Sequence, residues 1–475
     1  MPVETVDLWI GGKNVPAASG KYFDDRNPLD DSVFARAAEA GAEDVDKAVQ
    51  TAHTAFQTFR DSTAKEREGI LCRAAEILQR DKDDFARILI DEVGSPTFKA
   101  YFEIEMATDM LRAAAGMTRN ITGQTIPSDH PGRFSMSVRT PLGVVASITP
   151  FNVPMIKGVR LSCNPIACGN TVVLLPSEES PMLARRIADM YKEAGLPDGV
   201  FNVVTGFGHD IGDSLTSHPL VKVVTFTGSS VVGAHIRKLC AEHDKRVILE
   251  LGGKSPLVIM DDADLEKAVA GACRSIFVYQ GQVCMGASRI YVQRGIYDRF
   301  RNAFKTAAEK LGMGDLRDQT TILGPIISER QRQRVLDHIE DARSKGATIV
   351  TGGEWEGNRC KPTILENVDE SMTVFANETF GPVTSIYPVE TLDEALEKSN
   401  DSEFGLSAAI YTSNLDAAMK YALNVESGMV HVNAPTLHDE PHVPFGGVKN
   451  SGTGREGTID DIETMTEWKW ITIQM

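Results

Sequence analysis

Residues 142–158, LGVVASITPFNVPMIKG, open with a short apolar run, pass through a proline-bracketed turn and continue in helix-compatible sequence. The run GVVASIT reads as a strand, and the same unit recurs outward from it. TVVLL (171–175), VFNVVTG (200–206), KVVTFTG (222–228) and RVILELGG (246–253) read as further strands. Helices such as SPMLARRIADMYKEAG (180–195) and SVVGAHIRKLCAEH (230–243) lie between them. Such alternation predicts a parallel sheet covered by helices. From Lys254 the alternation starts again, with IYDRFRNAFKTAAEKLG (296–312), ATIVTGG (347–353), LDEALEKSN (392–400), SAAIYT (407–412) and GMVHVN (428–433). A second α/β domain therefore follows the first. Upstream, EDVDKAVQTAHTAF (43–56) and REGILCRAAEILQRDKDDFARILIDEVG (67–94) carry apolar residues at helical spacing. Two pieces fit neither domain, RFSMSVRT (133–140) and TEWKWITIQM (466–475). Each alternates like a strand, and an orphan strand often pairs across a subunit boundary.

A chain of 475 residues is too long for one ordinary core, which agrees with two domains. With 42% hydrophobic and 24% charged residues, the composition is that of a soluble globular protein. A formal charge of −17 and the lack of a Lys/Arg stripe argue against nucleic-acid or anionic-membrane partners. No apolar run is long enough to span a bilayer, and MPVETVDLWIGGKNV lacks the pattern of a signal peptide. Seven cysteines without a C-x-x-C pair read as reduced thiols, so a cytoplasmic protein without a bound metal is expected.

Three residues in this frame carry chemistry. Asn152 follows a strand, just before Pro154, where a helix can begin. Its amide could donate to developing negative charge on oxygen, or could cap its own helix. Glu250 stands at the carboxyl end of a strand, where ligands gather in open α/β sheets, although a single Glu is more often a solvated surface residue. Cys284 lies in VYQGQVCMGASR (278–289), among small and amide side chains rather than the branched apolar ones that surround an inert cysteine. Together the three supply a nucleophile, a base and an oxyanion donor.

These residues fall in motifs that resemble the aldehyde dehydrogenase superfamily over nearly the whole chain. FTGSSVVG (226–233), LELGGKSP (249–256), GQVC (281–284), NETFGPV (377–383) and PFGGVKNSGTGREG (444–457) follow the family's order and approximate spacing. The resemblance implies an α/β fold of two open parallel-sheet domains plus a small bridging β element. Residues 1–123 and 142–252 would form the dinucleotide-binding domain and 253–455 the catalytic domain. Residues 124–141 and 456–475, which hold the two orphan pieces, would form the bridging, oligomerising element. By resemblance Cys284 is the nucleophile, Glu250 the general base and Asn152 the oxyanion amide. Attack of the thiolate on an aldehyde gives a thiohemiacetal held by Asn152 and the Cys284 backbone N–H. Hydride loss leaves a thioester, and Glu250 activates water to release the acid. Family members that pass the acyl group to coenzyme A generally lack this glutamate, so hydrolysis is implied. Gly281 and Gly286 then read as clearance around the thiol.

No G-x-G-x-x-G follows the first strand, and TGFGHDIG (205–212) carries its glycines at looser spacing. FTGSSVVG suits a dinucleotide better: a strand, a Gly228 turn, then Ser229 opening a helix whose free N–H groups fit a pyrophosphate. By resemblance Gly208, Gly212, Phe226, Gly228, Ser229 and Val232 lie along the cofactor, with Ile148, Thr149, Pro150, Phe151, Leu251 and Gly252. Glu378 and Phe380 hold the nicotinamide half, and Leu175, Ser177 and Glu178 stand at the adenine ribose. Two residues depart from the family: Leu175 replaces a lysine and Phe151 a tryptophan. A carboxylate at 178 accepts from a ribose 2′-hydroxyl and repels a 2′-phosphate, so NAD is expected, while the lost lysine leaves NADP open.

Run as a helix, VPMIKGVR (153–160) puts Val153, Lys157 and Arg160 on one face. In the family this helix lines the substrate funnel, where apolar and aromatic residues are common. Two cations there would either pair with carboxylates or snorkel to solvent, or else meet a polar or anionic substrate group. Arg160 and HDEPHVPFGG (438–447) resemble the benzaldehyde, vanillin and salicylaldehyde dehydrogenase branch, and Val153 leaves room for a ring on which Arg160 can stack. Val283, Met285 and Phe445 complete the expected pocket. The expected activity is oxidation of a small-molecule aromatic aldehyde by a homodimer or homotetramer. An acid-bearing semialdehyde, a cofactor-free thiol esterase and a non-catalytic nucleotide-binding protein are the alternatives.

Overall fold

A computed structural model describes residues 3–475. An eight-stranded sheet runs in the order Gly452–Thr453, Arg246–Glu250, Val221–Thr227, Val144–Ile148, Thr171–Leu175, Phe201–Val203, Leu8–Ile10, Lys13–Val15. Its five central strands are parallel and its edges antiparallel. Successive side chains on a strand point to opposite faces, and here both faces are dry. Val144, Ala146, Val173 and Leu175 pack under the Ala42–Phe59, Gly208–Ser217 and Ser230–Glu242 helices. Val145, Val172 and Leu174 pack under a larger layer that includes Pro154–Ala167 and Pro181–Glu193. That double burial is why these strands read as unbroken apolar runs.

The second sheet runs Thr348–Thr351, Thr363–Glu366, Val383–Val389, Arg289–Gln293, Pro256–Ile259, Ser407–Tyr411, Met429–Val432. All its neighbours are parallel except the first pair. Five residues, 251–255, join the last parallel strand of sheet one to an inner strand of sheet two, Pro256–Ile259. The carboxyl end of one sheet therefore faces the amino end of the other, and the site lies between them.

The two orphan pieces pair with each other. Arg133–Pro141 and Thr466–Gln474 run antiparallel over nine residues, with Gln124–Thr125 as a third strand. The sequence-based boundaries shift at the C-terminal side. Gly452–Thr453 pairs with Arg246–Glu250, and helix Thr458–Met465 packs on Pro154–Ala167, so the chain rejoins the first domain before residue 455. The helical span 67–94 breaks at Asp81 into Ala64–Arg80 and Lys82–Val93. A 21-residue helix, Thr97–Met117, was not legible as an amphipathic run, because its buried face carries Lys99, Glu103 and Thr108 among the apolar residues. Among the described residues no helix is long and apolar enough to cross a membrane.

Candidate active site

Asn152 sits in the turn between strand Val144–Ile148 and helix Pro154–Ala167, whose first position Pro154 fills. Asn152 is buried within the turn, and its side chain does not cap the helix. Its Nδ2 donates to the carbonyl of Gln282, two residues before Cys284, at 2.9 Å. Behind it, Lys99 Nζ donates to the Asn152 carbonyl at 2.7 Å, and Glu103 Oε2 accepts from the Met155 and Ile156 amides at 3.2 and 3.5 Å.

Glu250 is the last residue of its strand and is buried, and neither carboxylate oxygen has a hydrogen-bond partner. Gly446 makes room for it, since a Cβ there would lie 2.7 Å from Glu250 Oε1. Burial, then repulsion from Glu456, raises its pKa well above the ordinary range, against the opposing pull of Lys157, Arg160 and Arg455. Such a carboxylate holds a proton at neutral pH more readily than a solvated one and is poised to exchange it.

Cys284 is half-buried, in the segment between helix Leu265–Phe277 and strand Arg289–Gln293. The backbone reaches it through three left-handed residues, Tyr279, Gln280 and Gly281, with φ of 49°, 47° and 68°. Such geometry survives in non-glycine residues only when neighbours enforce it. Gln280 bonds Pro325 and Gly324, the Tyr279 hydroxyl donates to the Val93 carbonyl, and Gln282 Oε1 accepts from the Ile327 amide. The amide side chains before the cysteine are therefore props for its turn. The clearance expected of the two nearby glycines is of another kind: a Cβ at Gly281 would meet the Gly381 carbonyl at 2.1 Å and one at Gly286 the Val283 carbonyl at 3.0 Å. Their absent side chains admit backbone, not ligand. Gly253 likewise admits the Cys284 carbonyl, which a Cβ would meet at 2.4 Å. Burial pushes the Cys284 thiol up to about 12, with Lys157 pulling the other way and Glu378 and Glu250 adding to the rise.

The expected cofactor residues divide into two groups. Ser229 caps helix Ser230–Glu242, its Oγ accepting from Val232 N at 3.4 Å, and Val232 is exposed. Gly208 opens its own helix, and neither it nor Gly212 has an atom within 4 Å of a would-be Cβ. Glu178 lines a cleft of about 600 Å³ together with Glu179, Phe207 and Arg332; Cys284 is not on that wall. Ser177 Oγ accepts from the Glu179 amide. Glu378 Oε1 accepts from Gly253 N at 3.0 Å, beside Gly252, and Phe151 meets Phe380 edge-on at 5.9 Å. Pro150 and Ile148 are half-buried and Thr149 is buried, its amide donating to the Leu175 carbonyl. Leu175, Phe226 and Leu251 need correction. Their side chains belong to the apolar layer under the sheet, Leu175 being only 1% exposed, so what they offer at the surface of the site is backbone rather than side chain. Phe226 fills the space over Gly228.

The substrate-side cations also need correction. Lys157 Nζ is 2.6 Å from Glu456 Oε2, and Arg160, 1% exposed, holds Asp439 with both terminal nitrogens at 2.9 and 3.1 Å. Arg160 also donates to the Glu440 carbonyl and reaches Glu456 at 3.4 Å. Two cations thus meet two carboxylates, a neutral cluster whose charges are spent on each other. Both cations lie over the Phe445 ring, at 4.8 and 5.5 Å from its centre, and Phe445 and Glu456 exchange backbone hydrogen bonds at 2.8 Å. Val153 packs against the core beneath, and Val283 and Met285 flank Cys284, the Met285 carbonyl accepting from Thr436 Oγ1 at 2.7 Å.

Several contributors were missed in the sequence. Asp439 and Glu456 stand far from Arg160 and Lys157 in the chain, and nothing local marks them as partners. Gln331, on the polar helix Glu329–Ser344, donates to the Thr379 and Phe380 carbonyls at 2.9 and 2.8 Å and so holds the loop of Glu378. Among the described residues no group of His, Cys, Asp and Glu is placed to hold a metal.

The aldehyde dehydrogenase family model matches residues 15–471. A vanillin dehydrogenase of Pseudomonas fluorescens is 43% identical over 472 residues, 99% of this chain and 98% of that protein. An NADP(+)-linked succinate-semialdehyde dehydrogenase of Escherichia coli is 38% identical over 467 residues, covering 98% and 97%. The crystal structure of a salicylaldehyde dehydrogenase from Pseudomonas putida G7 complexed with salicylaldehyde superposes with a TM-score of 0.96 at 35% identity, covering 99% and 98%.

Two outcomes follow from the site's electrostatics. Arg160→Met should destabilise the fold by about 2–3 kcal/mol, because it leaves the half-buried Asp439 without its partner while Glu456 keeps Lys157, and urea unfolding measures this. Alkylation of Cys284 by iodoacetamide should accelerate about tenfold per pH unit between roughly pH 7 and 9, since the thiol lies far below half-ionisation there. Lys157→Met removes the cation that favours the thiolate and should slow alkylation at every pH. Mass spectrometry of the Cys284 peptide separates this from modification of the exposed Cys72.

Proposed function

The chain belongs to the aldehyde dehydrogenase family, and on that premise we propose that it oxidises a neutral aromatic aldehyde to the carboxylic acid with NAD, by way of a Cys284 thioester that water cleaves. The observation that carries the choice of substrate is the internal pairing of Lys157 and Arg160 with Glu456 and Asp439. A pocket meant for a carboxylated semialdehyde needs a cation left over for the second acid group, and these two have none to spare. The cluster instead backs the Phe445 ring, an apolar face that suits a flat aromatic group. The vanillin and salicylaldehyde dehydrogenases among the relatives agree with this reading, whereas the succinate-semialdehyde dehydrogenase speaks for the runner-up.

The residues present suit a dinucleotide. The first amides of helix Ser230–Glu242 are open at an exposed end, and the Glu378 carboxylate lies where a side chain on Gly252 would collide with it. Ser229 and Val232 would hold the pyrophosphate, Glu178 and Glu378 the ribose hydroxyls, and Phe380 the nicotinamide half. The cofactor, when bound, supplies the hydride acceptor. Glu178 favours NAD by repelling a 2′-phosphate.

Within the site, Glu250 takes the Cys284 proton, because burial leaves its carboxylate without a hydrogen-bond partner and raises its affinity for a proton. The thiolate adds to the carbonyl carbon. Asn152 Nδ2 has two protons; one bonds the Gln282 carbonyl, and the other is free for the oxyanion of the adduct. Once the thioester has formed and Glu250 has passed the thiol proton to solvent, its carboxylate deprotonates the attacking water, and the adduct collapses to the acid with the Cys284 thiolate as leaving group. The exposed Trp468, Trp470 and Ile473 of the terminal strand support assembly into a homo-oligomer.

Separate failures of two variants test the mechanism. Cys284→Ala should lose both stages. Glu250→Gln should release a stoichiometric burst of NADH and then turn over on the order of 10²-fold slower; steady turnover at the wild-type rate would remove Glu250 from the base role. For the substrate, kcat/KM should be compared for benzaldehyde, hydroxylated and carboxylated benzaldehydes and succinic semialdehyde, with NAD and with NADP. The neutral rings with NAD should lead by about tenfold or more, the usual cost of a desolvated unpaired charge. A lead for succinic semialdehyde would favour the runner-up.

A further inference from the structure

We propose that Lys99 is the positioning residue of the oxyanion amide: its buried ammonium holds the backbone of Asn152 from behind and ties it to the turn that carries Cys284. The proposal rests on the reading of Asn152 as the oxyanion donor and extends it to a residue outside the catalytic group.

Asn152 lies in a stretch with no regular secondary structure, after the last strand residue Ile148 and before the helix starts at Pro154. Its carbonyl is buried and takes part in neither ladder nor helix. Lys99 Nζ supplies the missing donor at 2.7 Å. The ammonium also donates to Ser95 Oγ at 3.0 Å and is ion-paired with the Glu103 carboxylate. Glu103 in turn accepts from the Met155 and Ile156 amides. One ion pair thus grips the peptide that follows Asn152 and the first amides of the helix beyond it. The same ammonium lies 3.7 Å from the centre of the Tyr279 ring, a cation–π contact with the first of the left-handed residues leading to Cys284. Nucleophile and oxyanion donor come from different domains, and Lys99 touches the support of each.

Packing alone does not account for this pair. The neighbouring buried positions of helix Thr97–Met117 are Ala100, Ile104, Ala107, Met110, Leu111 and Ala114. An apolar pair at 99 and 103 would continue that face without the desolvation cost of two buried charges, which well-packed hydrophobic residues often match or better. The charges occur where the helix passes behind Asn152. Their placement answers a geometric demand, because an oxyanion donor displaced by about 1 Å loses much of its value.

The test is a double-mutant cycle in the full-length enzyme, read by steady-state kinetics with NAD and benzaldehyde. The pair is neutralised at constant size, as Lys99→Met with Glu103→Gln, in wild type and in Asn152→Ala. In wild type, kcat should fall about 10- to 100-fold while KM for the aldehyde stays within about threefold. In the Asn152→Ala background the same change should cost less than about twofold, since the donor being positioned is already gone. Equal losses in the two backgrounds would make the pair a structural element and overturn the proposal, as would an unchanged kcat. A wild-type rate for Asn152→Ala by itself would instead overturn the oxyanion reading. Should the doubly substituted chain fail to fold, Ser95→Ala removes one acceptor of the ammonium without stranding a charge. It should then show a smaller loss of the same kind, again absent without the Asn152 amide; a loss that persists there counts against the proposal.

Discussion

The chain leaves its first sheet at Glu250 and enters its second at Pro256. At about 3.5 Å per residue, that connection spans no more than about 20 Å. The carboxyl end of one sheet is therefore held close to the amino end of the other. Everything at the site meets between the two. Glu250 ends its strand there, Gly253 lies against the Cys284 backbone, and Glu378 reaches back to the Gly253 amide. Glycines at 252 and 253 are demanded by contact, since a Cβ at the first would strike Glu378 and one at the second the Cys284 carbonyl.

The second theme is charge placed out of water. Two buried clusters flank the reacting group: Lys99 with Glu103 behind Asn152, and Lys157 and Arg160 with Glu456 and Asp439 beside Phe445. Each is close to neutral, so neither floods the pocket with a field of one sign. What they supply is rigidity, because a desolvated ion pair has few alternative partners. Between them stand the groups left without partners, the Cys284 thiol and the Glu250 carboxylate, both with raised pKa values. Lys99, Lys157 and Arg160 each have a carboxylate partner, while Glu250, the proposed base, has none, which is how a fold concentrates reactivity in one place.

Much of this was written locally in the chain. The parallel strands were legible because both faces are buried, which turns the pattern into unbroken runs of Val, Ile and Leu. Asn152, Glu250 and Cys284 stood out through their places beside strand ends and a cleared turn, and the motifs around them carried the family. Contacts between distant segments were not legible. For Lys157 and Arg160 pairing with carboxylates was one of the open readings, but the partners could not be named because Glu456 and Asp439 lie almost 300 residues away. Leu175 looked like a ribose contact because the motif places it there, yet alternation along the strand turns its side chain into the core. Helix Thr97–Met117 was hidden by its own function, since the charges on its buried face break the apolar periodicity a reader looks for.

The antiparallel return of the chain has a temporal consequence. Gly452–Thr453 is an edge strand of the first sheet, Glu456 completes the cluster at Lys157, and Thr466–Gln474 closes onto Arg133–Pro141. Synthesis proceeds from the amino end, so the whole second domain emerges before these pieces of the first exist. During translation the first sheet waits with one edge uncovered, and Lys157 and Arg160 wait as unmatched cations in a half-built core. The thiol of Cys284 is by then already made, but the base, the cluster and the lining ring have not yet met around it. Assembly order thus keeps the nucleophile in an unfinished setting until some of the last residues dock, and a chain stopped short of them retains a cysteine with no machinery around it.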